Sequence, residues 1–157
     1  TCASIIIMDA DGSTDMEAIE RFLKIHDSEG CDVIIGSRAL SKSVLPVKQG
    51  ILRRIMGFCF RLLVKIFFLF PWKDTQCGFK FLTKKSAQKI LPLCNESGFA
   101  FDIEMLFWLR RFKFLVKEVE VIWRNNNDSR VPTISGPVKM FYSVVRFRIK
   151  TLFIQSV

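Results

Sequence analysis

Two short apolar runs stand out along the chain. Ser4-Ile5-Ile6-Ile7-Met8 and Asp32-Val33-Ile34-Ile35-Gly36 both carry the β-branched pattern of buried strands. Between them Met16, Ile19, Phe22 and Leu23 recur at helical spacing, and Thr14 with Glu17 has the form of a capping box opening that helix. From Lys48 to Phe70 the rhythm is again helical (Ile51, Ile55, Phe58, Leu62, Ile66), with further Phe and Leu residues widening the apolar face almost all round. Lys80 to Leu82 reads as a strand, after which Thr83 caps a short helix from Lys84 to Leu91. Asp102 is placed to cap a helix from Ile103 to Phe112, and Phe114 to Trp123 alternates like a half-buried strand. Pro137 onward is a second basic and apolar helix. Strands interleaved with helices predict an α/β fold with a mostly parallel sheet.

The first strand runs into Asp9-Ala10-Asp11-Gly12-Ser13-Thr14. Alternate strand residues share a side, so Asp9 and Asp11 face the same way. Two neighbouring carboxylates repel, and a hard divalent cation relieves that repulsion. Ordinary turn and cap chemistry accounts for Thr14 and Asp15 but not for two acids at a strand tip, where open α/β sheets bind ligands. An EF-hand loop is excluded, since Thr14 stands where glycine is required. A haloacid-dehalogenase-type phosphatase, with Asp9 as nucleophile, is a weaker alternative because the downstream chain lacks a second paired set of carboxylates.

Charge changes the reading of the long helix. The 157-residue chain carries a formal +9, half its residues are hydrophobic, and sixteen are Phe. From Lys48 to Lys73 and from Lys139 to Lys150 there are cations and no acids. Basic residues among large apolar ones fit an anionic membrane surface better than nucleic acid, for which no reading module is visible. Only Lys65 carries charge from Leu62 to Trp72, a run too short and too basic to read as a spanning helix, so an interfacial helix is expected, the alternative being a core helix. Five cysteines without paired spacing read as buried thiols of a reducing compartment. His26 is the single histidine, which excludes a zinc pattern, and its polar helix turn predicts a solvated ring. A parallel sheet that opens directly on its ligand-bearing strand, in a chain starting at Thr1, reads as N-terminally incomplete.

Asp9-Ala10-Asp11-Gly12, Gly36-Ser37-Arg38, Asp74-Thr75-Gln76-Cys77-Gly78-Phe79-Lys80, Phe101-Asp102-Ile103-Glu104 and Glu118-Val119-Glu120-Val121-Ile122-Trp123 with Ser129-Arg130 occur in that order. With this spacing the chain resembles the family-2, GT-A-fold glycosyltransferases that load a sugar onto a polyprenyl phosphate. The dolichyl-phosphate β-glucosyltransferase branch and its bacterial polyprenyl-phosphate relatives are the nearest group. The resemblance implies a partial GT-A fold, Rossmann-like, with residues 1–136 as the C-terminal part of the catalytic domain. A membrane-interface helix would occupy about 45–72, and a basic amphipathic tail helix 137–157. It implies metal-dependent, inverting transfer of a hexose, with glucose from UDP-glucose the first choice, to a dolichyl-type phosphate.

Within that resemblance Asp9 and Asp11 would hold Mg²⁺ or Mn²⁺. Arg38, Arg53, Arg54 and Arg130 would bind the acceptor phosphate, while Asp74, Gln76 and Asp102 would line the catalytic site. Arg61, Lys65, Phe67, Phe68 and Trp72 would lie at the membrane interface. The expected location is the cytosolic face of a membrane, endoplasmic reticulum or bacterial inner membrane. Expected partners are the nucleotide sugar, the lipid phosphate, the membrane surface and, as an open alternative, a second copy of the chain, with no nucleic acid. A truncated, inactive fragment that binds membrane or a partner is the competing expectation, because the family's uridine-holding turn lies upstream of the segments found here.

Overall fold

Both apolar runs form strands. The computed structural model describes residues 3–9, 14–40, 51–122 and 135–153, apart from the side chains of residues 51–54, 99 and 135–138. In chain order these contain β1 (Ser4–Ile7), α1 (Glu17–Glu29), β2 (Val33–Ser37), α2 (Ile51–Phe68), β3 (Lys80–Thr83), α3 (Lys84–Ile90), a 3₁₀ turn (Leu91–Leu93), α4 (Phe99–Arg111), β4 (Val116–Glu120) and α5 (Ser135–Leu152). The strand order is β1-β3-β2-β4. β3 pairs antiparallel with both β1 and β2, whereas β2 and β4 are parallel. Three of the four strands therefore run one way, giving a mixed sheet in an α/β arrangement consistent with part of a Rossmann-like GT-A fold.

Side-chain alternation sends the two sides of the sheet into separate cores. Ile34, Phe79, Phe81, Val119 and Val121 pack with Ala18 and Phe22 of α1, the Phe22 and Phe79 rings meeting edge to face at 5.2 Å. Val33, Ile35 and Leu82 face the other way, into a larger core with α2, α4 and α5. There Phe147 of α5 is fully buried between Phe68 and Phe107, with ring centroids at 5.7 and 5.6 Å.

Several local expectations change. Thr14 does not cap α1: it lies in a β-bridge, Asp15 N–H donates to the Ile122 carbonyl, and the helix opens two residues later with Met16 at the cap. Cross-strand pairing has claimed the backbone that a capping box would need. In the predicted α1 stripe Phe22 is buried, while Met16 and Leu23 are exposed. His26 is not solvated: its Nδ1–H donates to the Cys31 carbonyl at 2.8 Å and the ring leans on Phe81. Asp102 is not a cap either, because α4 already starts at Phe99 after Gly98, whose φ is +60°. Thr83 does cap α3, accepting from Ser86 N–H. Helix α5 starts at Ser135, and Pro137 falls in its first turn, where a missing N–H has no consequence.

A helix is present within the expected 45–72 stretch, as α2, but its exposed residues differ in part from those assigned to the membrane interface. Ile55, Phe58, Leu62, Ile66 and Leu69 form the exposed stripe of α2 and its end, with Arg61 and Lys65 exposed as expected. Phe68, by contrast, is buried in the larger core, and Phe67 and Trp72 pack against it. One helix face has to cover the sheet, and these aromatics belong to it. Among the described residues no helix is long and apolar enough to cross a membrane. The described cysteines are free thiols: Cys31 and Cys77 buried, Cys94 partly buried, and Cys59 exposed where a buried thiol was expected.

Candidate functional site

The ends of β1, β2 and β4 and the start of antiparallel β3 share one edge of the sheet. Asp9 follows β1 there. Its carboxylate occupies the space above Gly78: a Cβ at residue 78 would lie 2.1 Å from the Asp9 carboxyl carbon. Gly78 is thus fixed by close approach rather than by turn geometry. Gly36, at the end of β2, is similarly enclosed, with Cys77 Sγ, the Phe79 carbonyl oxygen and Val121 Cγ1 each 3.0 Å from where its Cβ would stand.

Arg38 and Asp74, assigned separately to phosphate and sugar, meet each other. Asp74 is buried and accepts from Arg38 Nε (2.8 Å), Arg38 Nη2 (3.0 Å), the Arg38 backbone N–H (2.9 Å) and Gln76 N–H (3.3 Å). Burial alone would raise the Asp74 pKa. The paired hydrogen bonds and charge of Arg38 outweigh it and hold the carboxyl below its ordinary value. Arg38 is held fully cationic by the same partner, with Asp9 adding to the negative field around it. About a third of the Arg38 side chain is exposed, so the pair presents a guanidinium at the strand-end edge. Cys77 beside it is not a nucleophile, since burial pushes its thiol up to about 11.

Asp102 comes to the same edge by another route. Its Oδ1 lies 2.6 Å from Nζ of Lys80, a fully buried lysine at the start of β3, and Lys80 also donates to the Cys77 carbonyl. Asp102 sits in the first turn of α4, where an acid also complements the helix dipole. Glu118 of β4 accepts from the Lys73 and Asp74 backbone N–H groups at 2.8–3.0 Å. Sequence reasoning gave neither Lys80 nor Glu118 a place in the site. Glu118 is one of several charges in an alternating strand, and its partners lie 44 and 45 residues away, so no local signal marks it.

The structure therefore gathers Asp9, Arg38, Asp74, Gln76 and Asp102. Asp11 and Arg130 lie outside the described residues, as do the side chains of Arg53 and Arg54. Among the described residues no three His, Cys, Asp or Glu side chains gather as a ready metal cage. A cation of the Mg²⁺ type takes one or two protein carboxylates and completes its shell with water and substrate phosphate. An Asp9 carboxylate held on a glycine shelf is a donor of that kind.

No family model matches the chain. Individual proteins do. Dolichyl-phosphate β-glucosyltransferase of Dictyostelium discoideum is 33% identical over 151 residues, covering 94% of this chain and 46% of that protein. The Saccharomyces cerevisiae enzyme of the same name is 29% identical over 158 residues, 94% of this chain and 47% of its own. The human one is 26% identical over 153 residues, with 94% and 47% covered. The chain spans about half the length of these curated relatives. Over nearly all of its length the chain is thus similar to about half of each of these dolichyl-phosphate β-glucosyltransferases, and its mixed α/β sheet is consistent with a partial Rossmann-like GT-A fold.

Proposed function

We propose that the protein transfers glucose from UDP-glucose to a dolichyl-type phosphate at a membrane surface, with inversion and with a divalent metal. The observation that carries the reading is the Arg38–Asp74 pair at the strand-end edge beside Asp9. A lipid monophosphate, with a second pKa of about 6, reaches the site mostly as a dianion. Such a nucleophile needs alignment and charge neutralisation more than deprotonation. Arg38, oriented by Asp74, is the described guanidinium suited to grip it, and Arg53, Arg54 and Arg130 would join from outside the described geometry. Asp9 and Asp11 would hold Mg²⁺ or Mn²⁺, which when bound supplies positive charge to the departing diphosphate. Gln76 and Asp102 would border the sugar.

The exposed apolar stripe on α2 supports a membrane-surface location. A second set on α5 (Phe141, Tyr142, Ile149, Leu152), continued by Phe153 just after it, lies near exposed Arg146 and Lys150. Large apolar side chains beside cations suit the boundary between headgroups and acyl chains. The cytosolic face follows from a nucleotide-sugar donor.

The test is incorporation of labelled glucose from UDP-glucose into dolichyl phosphate carried in vesicles, with Mg²⁺ or Mn²⁺ supplied. We expect chelation to abolish incorporation and Asp11→Ala or Arg38→Ala to lower it at least a hundredfold. No labelled lipid from the unaltered protein, or full activity in Asp11→Ala, would overturn the reading.

A further inference from the structure

Lys80, Ile35 and Glu118 occupy one rung of the sheet. Ile35 is in register with Lys80 of β3 on one side and with Glu118 of β4 on the other. Residues in register share a face, so the cation and the anion stand on either side of an apolar side chain, both toward the α2–α4–α5 layer. They are two strand spacings apart, about 10 Å, and do not pair with each other. Each reaches instead for the backbone of the same loop. Glu118 accepts the N–H groups of Lys73 and Asp74, where the loop enters. Lys80 donates to the carbonyl of Cys77, just before it leaves. Between those two grips lie Asp74 and Gln76.

From this rung we infer that Glu118 and Lys80 are positioning residues, clamping the 73–79 loop at both ends so that Asp74, and through it Arg38, is held at the sheet edge. The inference rests on the site proposed above. The signs are matched to their tasks: a carboxylate meets two N–H donors, an ammonium meets a carbonyl. Asp74 cannot stay in place by itself. Its four bonds go to Arg38 and Gln76, which lie on the two segments whose relative placement is at issue. The grip from β4 ties that arrangement to the sheet. Lys80 is fully buried, a location where an apolar residue of similar volume is usually at least as stabilising. Its retention with Asp102 as counter-ion is explained by what it orients. Neither residue is expected to touch donor or acceptor.

The test compares Glu118→Ala and Glu118→Gln with the unaltered protein by hydrogen exchange at the Lys73 and Asp74 amides, by thermal midpoint, and by glucose transfer. Glu118→Ala should speed exchange at those two amides at least tenfold and lower kcat at least tenfold, with a thermal midpoint changed by only a few degrees. Glu118→Gln keeps one acceptor oxygen and should recover most of both effects. Unchanged exchange in Glu118→Ala overturns the clamp, as does an activity loss that merely tracks the thermal midpoint in both variants. If the unaltered protein transfers no glucose, the functional reading fails, while the exchange comparison still decides the clamp. Lys80→Met gives the other end an independent readout. Faster exchange across residues 77–79, partly rescued in Lys80→Arg, is expected, and none would limit the clamp to Glu118 and overturn the paired form.

Discussion

At the strand-end edge, charged groups meet charged or polar partners: Arg38 meets Asp74, Lys80 meets Asp102, and Glu118 meets two backbone amides. Along the outer sides of α2 and α5 large apolar side chains are exposed instead, and Phe58, Ile66, Phe141 and Ile149 stand in solvent although the helices' inner faces are tightly packed. The first region is ordered by polar contacts between residues tens of positions apart. The second gets its order from the core beneath. The difference teaches that stability and membrane attachment should separate cleanly by helix face, while in the edge region stability and binding should move together.

The most damaging way to break the second region is from below. Phe147→Ala removes a fully buried ring that packs on Phe68 and Phe107. It should cost about 3–5 kcal/mol, read as a lower denaturant midpoint in an unfolding titration. In the edge region, Asp74→Ala removes the carboxylate that accepts three hydrogen bonds from Arg38. Because Arg38 is a third exposed, the expected loss is at the lower end for a buried pair, about 2–3 kcal/mol.

The pH response of that pair has a definite sign. Asp74 has a depressed pKa in the folded state, so the stability it contributes is complete above the ordinary carboxylate value of about 4. It is lost as pH falls through the lowered folded value. Acid unfolding followed by circular dichroism should therefore flatten in Asp74→Asn below about pH 4 relative to the unaltered protein, and an unchanged acid limb would count against the pairing.

The smallest stability effect is expected at the outer surface, where it sharpens the contrast most. Phe58→Ser should change folding stability by no more than about 0.5 kcal/mol. Yet it should weaken partition onto anionic vesicles roughly tenfold, since a Phe taken from water contributes about 1.5–3 kcal/mol. Flotation with vesicles of stated phosphatidylserine content measures the partition; equal flotation of the two proteins would remove Phe58 from the interface.

Sequence patterns carried β1, β2, β3, the α3 cap and the helical character of Ile51–Phe68, because those are decided by neighbours within a turn or a run of alternation. They failed where a distant segment claimed a group first. Thr14 offered a capping box, but it lies in a β-bridge and the neighbouring Asp15 N–H bonds to the distant Ile122 carbonyl. Asp102 looked like a cap, but α4 begins three residues earlier and the carboxylate belongs to Lys80. Phe68 and Trp72 looked lipid-facing in a stretch apolar all round; which side faces the sheet is settled only by the sheet. The acids and the arginine of the site were legible as types, but the pairing of Arg38 with Asp74 joins residues 36 positions apart.

Gly78 and Gly36 are ordinary in backbone conformation; the described glycines with positive φ are Gly30 and Gly98. Saturation mutagenesis should therefore divide the glycines by what they tolerate. Gly30, a left-handed helix end with open space where a side chain would go, should accept Asn readily. At 36 and 78 even alanine is oversized, and at 78 the displaced neighbour is the Asp9 carboxylate itself. A single methyl group placed there would reset the acid's position without altering any charge, so natural variation at residue 78 reports whether a given homologue still keeps its strand-end acid in service.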